Sequence, residues 1–330
     1  MARRRAPSAP AAEPVSWRDG VHVRGTAIWC DARRARDVCF VSAPDRVGRA
    51  GHGQLIATAQ TLAQLGASTG AHLAAPYRRP FTLGTLRLEL MPSGHALGGA
   101  ALLVDSGEQR VLVAGVMATE HPGLGERGEV RRCDVLVVAA PYGREAHRWP
   151  PGDAAAVAAV DDCTHAVRAG RTGVILVTSP HKGLDVAARL IAAGLEVSAH
   201  RSIHHAARRL IAAGFPAPAL RRARPGGALV WLARERPRLA AALGDTPHRT
   251  ILASGLAVEP DAVTALGVDA AYPWSNAADR EQLAALIAST GASRVYLTGR
   301  CGDDVAAWLG DRARALAPPR QMDLFGEVLG

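Results

Sequence analysis

The chain has 330 residues, of which 48% are hydrophobic and 21% are charged, and its formal net charge is +9. This balance predicts a soluble globular protein, and because no apolar run approaches 18 residues, no membrane-spanning helix is expected. Lys182 is the only lysine, so nearly all of the positive charge comes from arginine. The excess favours a polyanionic partner such as nucleic acid, with a merely solvated basic surface as the alternative.

The start of the chain and the cysteines both point to a cytoplasmic protein. Residues 1–15 carry basic side chains with no apolar segment behind them, which predicts a disordered basic arm and not a secretory signal. The five cysteines are scattered and form no C-x-x-C pair, which predicts small buried thiols and not a zinc or disulfide framework. They are Cys30, Cys39, Cys133, Cys163 and Cys301.

Residues 16–150 are predicted to be rich in strands. Short apolar runs bounded by turn residues predict six of them: TAIWCDA, DVCFVSA, LRLELMPS, GAALLVDSG, QRVLVAGV and CDVLVVAAP. One helix is predicted near residues 54–68, where the sequence is QLIATAQTLAQLGAS.

The pattern changes after residue 150. A long alanine-rich helix at 153–169, the strand GVILVTS, a helix after PHKG, the strand LEVSA and a basic helix near 202–213 follow in order. This β-α-β-α succession favours a parallel sheet covered by helices. After RTILASG, a helix, the strand RVYLTG and a last helix complete the folded chain, and residues 316–330 are predicted to form a tail that contains Pro318-Pro319.

Four loops fall in a familiar order and spacing. They are the strand end FVS at 40–42, PSGHALGGA at 92–100, VLVAGV at 111–116 with CDVLVVAAPYG at 133–143, and AYPWSNAADREQL at 271–283. Over residues 16–315 the chain resembles the ligase-associated DNA exonucleases, which have the metallo-β-lactamase fold and are kin of the RNA 3′-end processing nucleases with a β-CASP domain. The resemblance implies an α/β chain: an αββα sandwich from residues 16–150 and 250–315, with a reduced β-CASP-like α/β insertion at 151–249.

That family binds two zinc ions that activate a water for attack on phosphate, but this sequence departs from the ligand pattern. In the H-x-H-x-D-H loop the ligand positions become Ala43, Asp45, Val47 and Gly48. The bridging aspartate becomes Val116 and a further histidine becomes Ala277, while the histidine of G-H-x-L-G survives as His95. Zinc needs three or four donors, so the resemblance implies a pseudoenzyme without a metal cofactor or catalytic residues.

The surviving polar residues have open alternatives. His95 is either a relic ligand or a loop histidine bonded to backbone, and Asp45 either rescues weak metal binding with His95 or pairs with Arg46 or Arg49. VTSPHKGLD at 177–185 is either a phosphate site using Lys182 or a plain helix start capped by Ser179.

The basic helix is the other predicted contact with nucleic acid. His200, His204 and His205 share it with three arginines, so a basic surface is favoured over a metal site there. The predicted nucleic-acid contacts are Lys182, Arg201, Arg208 and Arg209.

The tail sequence QMDLF at 321–325 matches the Q-x-x-L-F pattern by which bacterial repair proteins bind the sliding clamp. Gln321 would be the polar anchor, and Leu324 and Phe325 would fill an apolar pocket. The alternative is a tail that folds back on the core.

The resemblance and the basic charge together imply a catalytically inactive scaffold that binds DNA ends or single strands in repair. No association with a membrane is expected. The sliding clamp and a DNA ligase or helicase of the same pathway are its candidate partners. Two other functions stay open: an active nuclease or hydrolase with a rebuilt metal site, and a protein-interaction module that does not bind nucleic acid.

Overall fold

A computed structural model describes residues 13–46, 51–67, 72–120 and 123–316. Within these ranges the chain is an α/β protein with three sheets. None of the helices in the described ranges has the length and apolar character needed to cross a membrane. The predicted clamp motif at 321–325 and all of the predicted basic arm before residue 13 lie outside the described residues.

The first sheet has six strands in sequence order, antiparallel from β1 to β3 and parallel from β3 to β6. Its strands are β1 (Val15–Trp17), β2 (Val21–Val23), β3 (Ile28–Cys30), β4 (Val38–Phe40), β5 (Gln54–Ala57) and β6 (His72–Ala74). The helix α1 (Ala59–Leu65) follows β5 and packs through Leu62 on the outer face of this sheet.

The second sheet has seven strands in the order β19-β18-β11-β10-β9-β8-β7. Its strands are β7 (Phe81–Leu83), β8 (Leu86–Pro92), β9 (Ala100–Asp105), β10 (Arg110–Gly115), β11 (Val135–Ala139), β18 (Arg294–Thr298) and β19 (Ala313–Ala315). Strands β7 to β10 run antiparallel, and β10, β11, β18 and β19 run parallel.

These two sheets pack face to face, and helices cover their outer faces. Phe40 and Ile56 of the first sheet share a core with Leu102 and Val137 of the second. On the far side of the second sheet lie α7 (Arg280–Thr290) and α8 (Gly302–Leu309). The result is a four-layer αββα arrangement, called the sandwich below.

Strand β11 shows why apolar runs without alternation form the central strands. Val135 and Val137 face the core between the sheets, whereas Leu136 and Val138 face α7 and α8. Because both faces are covered, every position of the VLVV run is apolar.

The third sheet is wholly parallel, with strands in the order β14-β13-β15-β12-β16-β17. Its strands are β12 (Thr172–Val177), β13 (Val197–Ala199), β14 (Arg221–Arg222), β15 (Ala228–Leu232), β16 (His248–Ala253) and β17 (Ala270–Tyr272). One face is covered by α2 (Ala154–Arg168), α3 (Pro180–Ala192) and α4 (Arg201–Ala212), and the other by α5 (Leu239–Leu243) and α6 (Pro260–Leu266). Residues 154–272 are called the parallel-sheet unit.

The chain enters and leaves the parallel-sheet unit at adjacent points. The backbone N–H of Trp149 donates to Asp279 Oδ2 at 3.0 Å, and the Trp149 indole Nε1 donates to the carbonyl oxygen of Ala277 at 2.9 Å. Asp279 also caps α7 through a capping box with Gln282. The two segments that connect the sandwich to the parallel-sheet unit are therefore hydrogen-bonded to each other.

The structure corrects two sequence predictions about elements. Residues 54–57 form β5, and the helix predicted over 54–68 begins only at Ala59, after its N-cap Thr58. The insertion predicted to end at residue 249 continues through β17, because β16 and β17 pair within the third sheet. The parallel pairing predicted from the β-α-β-α succession is confirmed, and the five cysteines are buried and free.

Candidate functional site

A cleft of about 220 Å³ lies where strand ends of the sandwich meet strand ends of the parallel-sheet unit. The loops after β4 and β8 bring Asp45 and His95, and those after β12 and β17 bring His181 and Asn276. All four loops leave the carboxyl ends of their strands, which is where ligands bind in open α/β sheets. The cleft is therefore the candidate site for binding or catalysis.

The loop after β8 holds His95 through two glycines with left-handed backbone. Gly94 has φ of +74° and a Cβ there would collide with the carbonyl oxygen of Ala118, while Gly98 has φ of +81°. The Gly98 carbonyl accepts hydrogen bonds from the Thr58 and Thr61 hydroxyl groups at 2.6 and 2.8 Å. These contacts tie the loop to the start of α1.

The loop after β4 is fixed by Asp31, a residue that the sequence prediction missed. The Ser42 backbone N–H donates to Asp31 Oδ1 at 2.8 Å, and the Ser42 hydroxyl donates to Asp31 Oδ2 at 2.6 Å. Asp31 itself has φ of +51°, an uncommon backbone conformation for a residue other than glycine. The Asp31 carboxylate thus holds the end of β4 immediately before the segment that leads to Asp45.

Two imidazoles and one carboxylate meet in the cleft. The rings of His95 and His181 lie 4.6 Å apart, edge to face, and His181 Nδ1 lies 3.9 Å from Asp45 Oδ1. His95 Nδ1 lies 2.8 Å from the Asn276 carbonyl oxygen, to which it can only donate, and His181 Nε2 lies 3.0 Å from the Ser179 hydroxyl. The second nitrogen of each ring is buried and has no hydrogen-bond partner among the described residues.

Burial sets the protonation of these groups. It lowers the pKa of His181 to about 3, although the Asp45 carboxylate acts in the opposite direction. Burial also lowers the pKa of His95, again against Asp45. For Asp45 burial raises the pKa, but His181, His95 and Arg46 more than offset it and lower the pKa to about 2. Near neutral pH the site therefore presents two neutral imidazoles beside a carboxylate.

Lys182 lines the cleft but has only 3% of its surface exposed. Its Nζ donates to Asn276 Oδ1 at 2.7 Å and lies 4.1 Å from the centre of the Trp274 ring. Burial lowers the pKa of Lys182 to about 7, while the carboxylate of Asp185 acts to raise it. The ammonium group is therefore held by protein groups, and the role of Lys182 in binding phosphate stays a prediction.

The start of helix α3 has the cap that is expected of a plain helix start at residues 177–185. Ser179 is the N-cap and accepts from the Lys182 backbone N–H at 3.3 Å, and Pro180 occupies the first turn.

The degenerate ligand positions named from the sequence meet at this cleft. Asp45, His95, Val116 and Ala277 line it together, and Ala43 is buried beside it in the same loop as Asp45. Val116 and Ala277 pack with Tyr142 in one apolar cluster. Neither side chain has a donor atom, so these residues do not fit a two-zinc centre. Val47 and Gly48 lie outside the described residues.

The predicted basic surface on α4 is exposed. Arg201, Arg208 and Arg209 all lie on its solvent side. Arg209 donates to the Gln64 carbonyl oxygen at 2.9 Å, joining α4 to α1. It also lines a cavity that reaches Asp45 and His181, so the basic helix adjoins the cleft.

The histidines of α4 do not form a metal site among the described residues. The ring of His200 packs edge to face on Trp231 with centres 4.7 Å apart, and the His204 and His205 rings lie 6.2 Å apart.

Comparison with known proteins adds one distant relative. A curated protein of Opitutus terrae named probable DNA ligase is 23% identical to the chain over 322 residues. The match covers 94% of this chain but only 32% of that protein, so the chain spans about a third of its length. No family model matches the chain.

Proposed function

We propose that this protein binds DNA ends or single strands as a scaffold in DNA repair, and that it descends from the ligase-associated exonucleases of the metallo-β-lactamase fold without keeping their two-zinc hydrolysis. The observation that carries the proposal is the meeting of four separate segments, through Asp45, His95, Val116 and Ala277, in one cleft. These segments were matched to the family's ligand motifs by sequence alone. Their convergence is what a shared site requires.

Two further observations support a role with DNA. The relative named probable DNA ligase aligns with nearly the whole chain. Arg46 lines the cleft, Arg209 of α4 lines the adjoining cavity, and Arg201 and Arg208 add positive charge on the exposed side of the same helix. Arginines that neutralise phosphates release counterions, which gives affinity without sequence preference.

The test is the binding of a fluorescent single-stranded DNA of about 30 nucleotides, measured by anisotropy over a series of salt concentrations. The affinity should fall steeply with salt: the logarithm of the binding constant plotted against the logarithm of the salt concentration should have a slope of about −0.7 for each phosphate neutralised. The double variant Arg201→Glu/Arg208→Glu should bind at least about 10-fold more weakly and with a shallower slope.

The matched control is Arg87→Glu/Arg171→Glu, which changes the net charge equally. Both arginines are exposed and lie at the amino ends of β8 and β12, away from the cleft. The control should keep the parent affinity within about 3-fold. Equal losses in both variants, or no binding at low salt, would refute the proposal and favour a protein-interaction module.

A second candidate function is a hydrolase with a rebuilt metal site. It is favoured by one observation, the presence of Asp45, His95 and His181 side by side in the cleft. Release of labelled nucleotides from single-stranded DNA in the presence of zinc or manganese, lost in His95→Ala, would establish it in place of the scaffold.

The sliding clamp is proposed as a partner through residues 321–325. Burying Leu324 and Phe325 supplies on the order of 3–6 kcal/mol before ordering costs, which suits a micromolar contact. A peptide of residues 316–330 should bind a bacterial clamp in calorimetry, and Leu324→Ala/Phe325→Ala should abolish the binding. Equal binding by the substituted peptide would show the pattern to be a coincidence of composition.

A further inference from the structure

The side chains of Asp45, His95 and His181 each direct a donor atom toward one point of the cleft. Their donor atoms all lie within 4.8 Å of one another, and no other group of three such residues is present among the described residues. We propose that these three side chains bind a single divalent transition-metal ion, with zinc as the reference ion. His181 is not a position to which the resemblance assigns a ligand, so this set differs from the lost two-zinc set.

The orientation of the two imidazoles is the main support. In each ring one nitrogen is held by a protein hydrogen bond, His95 Nδ1 by the Asn276 carbonyl and His181 Nε2 by the Ser179 hydroxyl. The other nitrogens, His95 Nε2 and His181 Nδ1, are buried and unpartnered among the described residues. Metal-bound histidines show this same division, with one nitrogen on the metal and the other hydrogen-bonded to fix the ring.

The donor set selects the class of ion. Two imidazole nitrogens and one carboxylate oxygen suit zinc, cobalt, nickel or iron, whereas magnesium and calcium prefer all-oxygen sites. Zinc–nitrogen bonds of about 2.0–2.1 Å place tetrahedral donors about 3.3 Å apart. The His181 Nδ1 to Asp45 Oδ1 distance is 3.9 Å and all three donor atoms lie within 4.8 Å of one another, so each pair has to approach by at most about 1.5 Å.

The partly exposed side chains of Asp45 and Arg46 have room to adjust to that contraction. The side chain of Asp45 is 26% exposed and follows the loop end fixed by Asp31, so it can turn inward. Arg46 and Lys182 add positive charge nearby and lower the affinity, but the Arg46 side chain is 37% exposed and can turn to solvent.

The ion would join the two parts of the fold. Asp45 and His95 belong to the sandwich, whereas His181 lies in the first turn of α3 in the parallel-sheet unit. With three protein ligands, the fourth position of a tetrahedral ion stays free for a water or an anionic oxygen.

The test uses full-length protein that has been treated with a chelator and then titrated with zinc in calorimetry and with cobalt in visible absorption. We expect one equivalent of either ion, a tetrahedral cobalt spectrum and a higher melting temperature with zinc. His181→Ala should weaken binding by more than about 100-fold, because even the loss of an outer-shell partner costs about 10–100-fold.

His205→Ala is the matched control, since His205 lines an adjoining cavity on α4 but has no place in the donor set. If His181→Ala fails to fold, Asp45→Asn supplies the same test at a partly exposed residue. Uptake below about 0.1 equivalent, or equal affinity in His181→Ala and the parent, would overturn the inference.

The inference is independent of the proposed DNA scaffold, whereas the second candidate function, the hydrolase, requires it. DNA binding in the presence of chelator without metal uptake would refute the metal site alone. Metal uptake without DNA binding would refute the scaffold alone.

Discussion

Replacing Lys182 with methionine removes the only lysine ammonium of the chain from its buried position at the cleft. The ammonium donates to Asn276 Oδ1 at 2.7 Å and stacks over the Trp274 ring at 4.1 Å. Asp185, one turn along α3, accepts from the Leu124 backbone N–H at 2.6 Å and from the Asn276 side chain. Methionine fills a similar volume without charge, so Asp185 would lose its buried counter-charge.

The stability lost in Lys182→Met comes from three interactions of the ammonium group: its hydrogen bond to Asn276, its contact with the Trp274 ring and its attraction to Asp185. A hydrogen bond to a charged group contributes about 1.5–3 kcal/mol, and a desolvated cation–π contact about 2 kcal/mol. Removing one partner of a buried charged pair costs about 3–5 kcal/mol in total, because the three effects overlap. At an unfolding entropy of about 2.1 cal/mol/K for each residue, a chain of 330 residues shifts by about 1.4 °C for each kcal/mol, so the melting temperature of Lys182→Met should fall by about 4–7 °C.

The assay is thermal unfolding followed by circular dichroism at pH 6, where most of the Lys182 side chains are protonated because their pKa is about 7. The double variant Lys182→Met/Asp185→Asn removes both charges and should recover at least half of the lost stability. A single variant that melts within about 1 °C of the parent, or a double variant no more stable than the single one, would refute the reasoning.

Three further outcomes are expected. Phe40→Ala should lower the free energy of unfolding by about 3–5 kcal/mol in urea denaturation, because Phe40 is 0% exposed between the sheets, and a loss below about 1 kcal/mol would contradict that packing. Gly94→Ala should destabilise the protein far more than Gly84→Ala, since both have positive φ but only Gly94 lacks space for a Cβ; equal melting temperatures would contradict this. Hydrogen bonding to Arg300 lowers the pKa of Glu259 to about 2 from its ordinary 4.5, so Glu259 stabilises the fold above pH 4.5 and loses that effect as the pH falls through 2. The stability gap between the parent and Glu259→Gln should therefore be constant above about pH 5 and shrink toward pH 2; a gap that persists at pH 2 would count against it.

The central strands could be predicted because they are covered on both faces. The runs around Val137 and Ile175 are apolar at consecutive positions, and this signal needs no knowledge of the partner strands. The sequence predicts a helix that includes residues 54–57, because the apolar spacing of QLIATAQTLAQL fits a helix throughout. What makes them a strand is pairing with β4 on one side and β6 on the other, which local sequence does not reveal.

The position of the candidate site could be predicted from the sequence, but its full set of residues could not. The loops with Asp45 and His95 were identified, yet His181 was missed because it comes from the other part of the fold. The environment of Lys182 is hidden from the sequence for a related reason: a lone lysine beside a glycine at a helix start is typical of phosphate sites. Only the packing of Trp274 and Asn276 over it shows that its ammonium is buried.

The adjacent crossings of the chain at Trp149 and Ala277 have a consequence for protein engineering. Because entry and exit are joined by hydrogen bonds of 2.9 and 3.0 Å, the residues between them can be excised and the ends reconnected by a few glycines without stretching the host fold. The shortened chain would retain every strand of the first two sheets and lose His181.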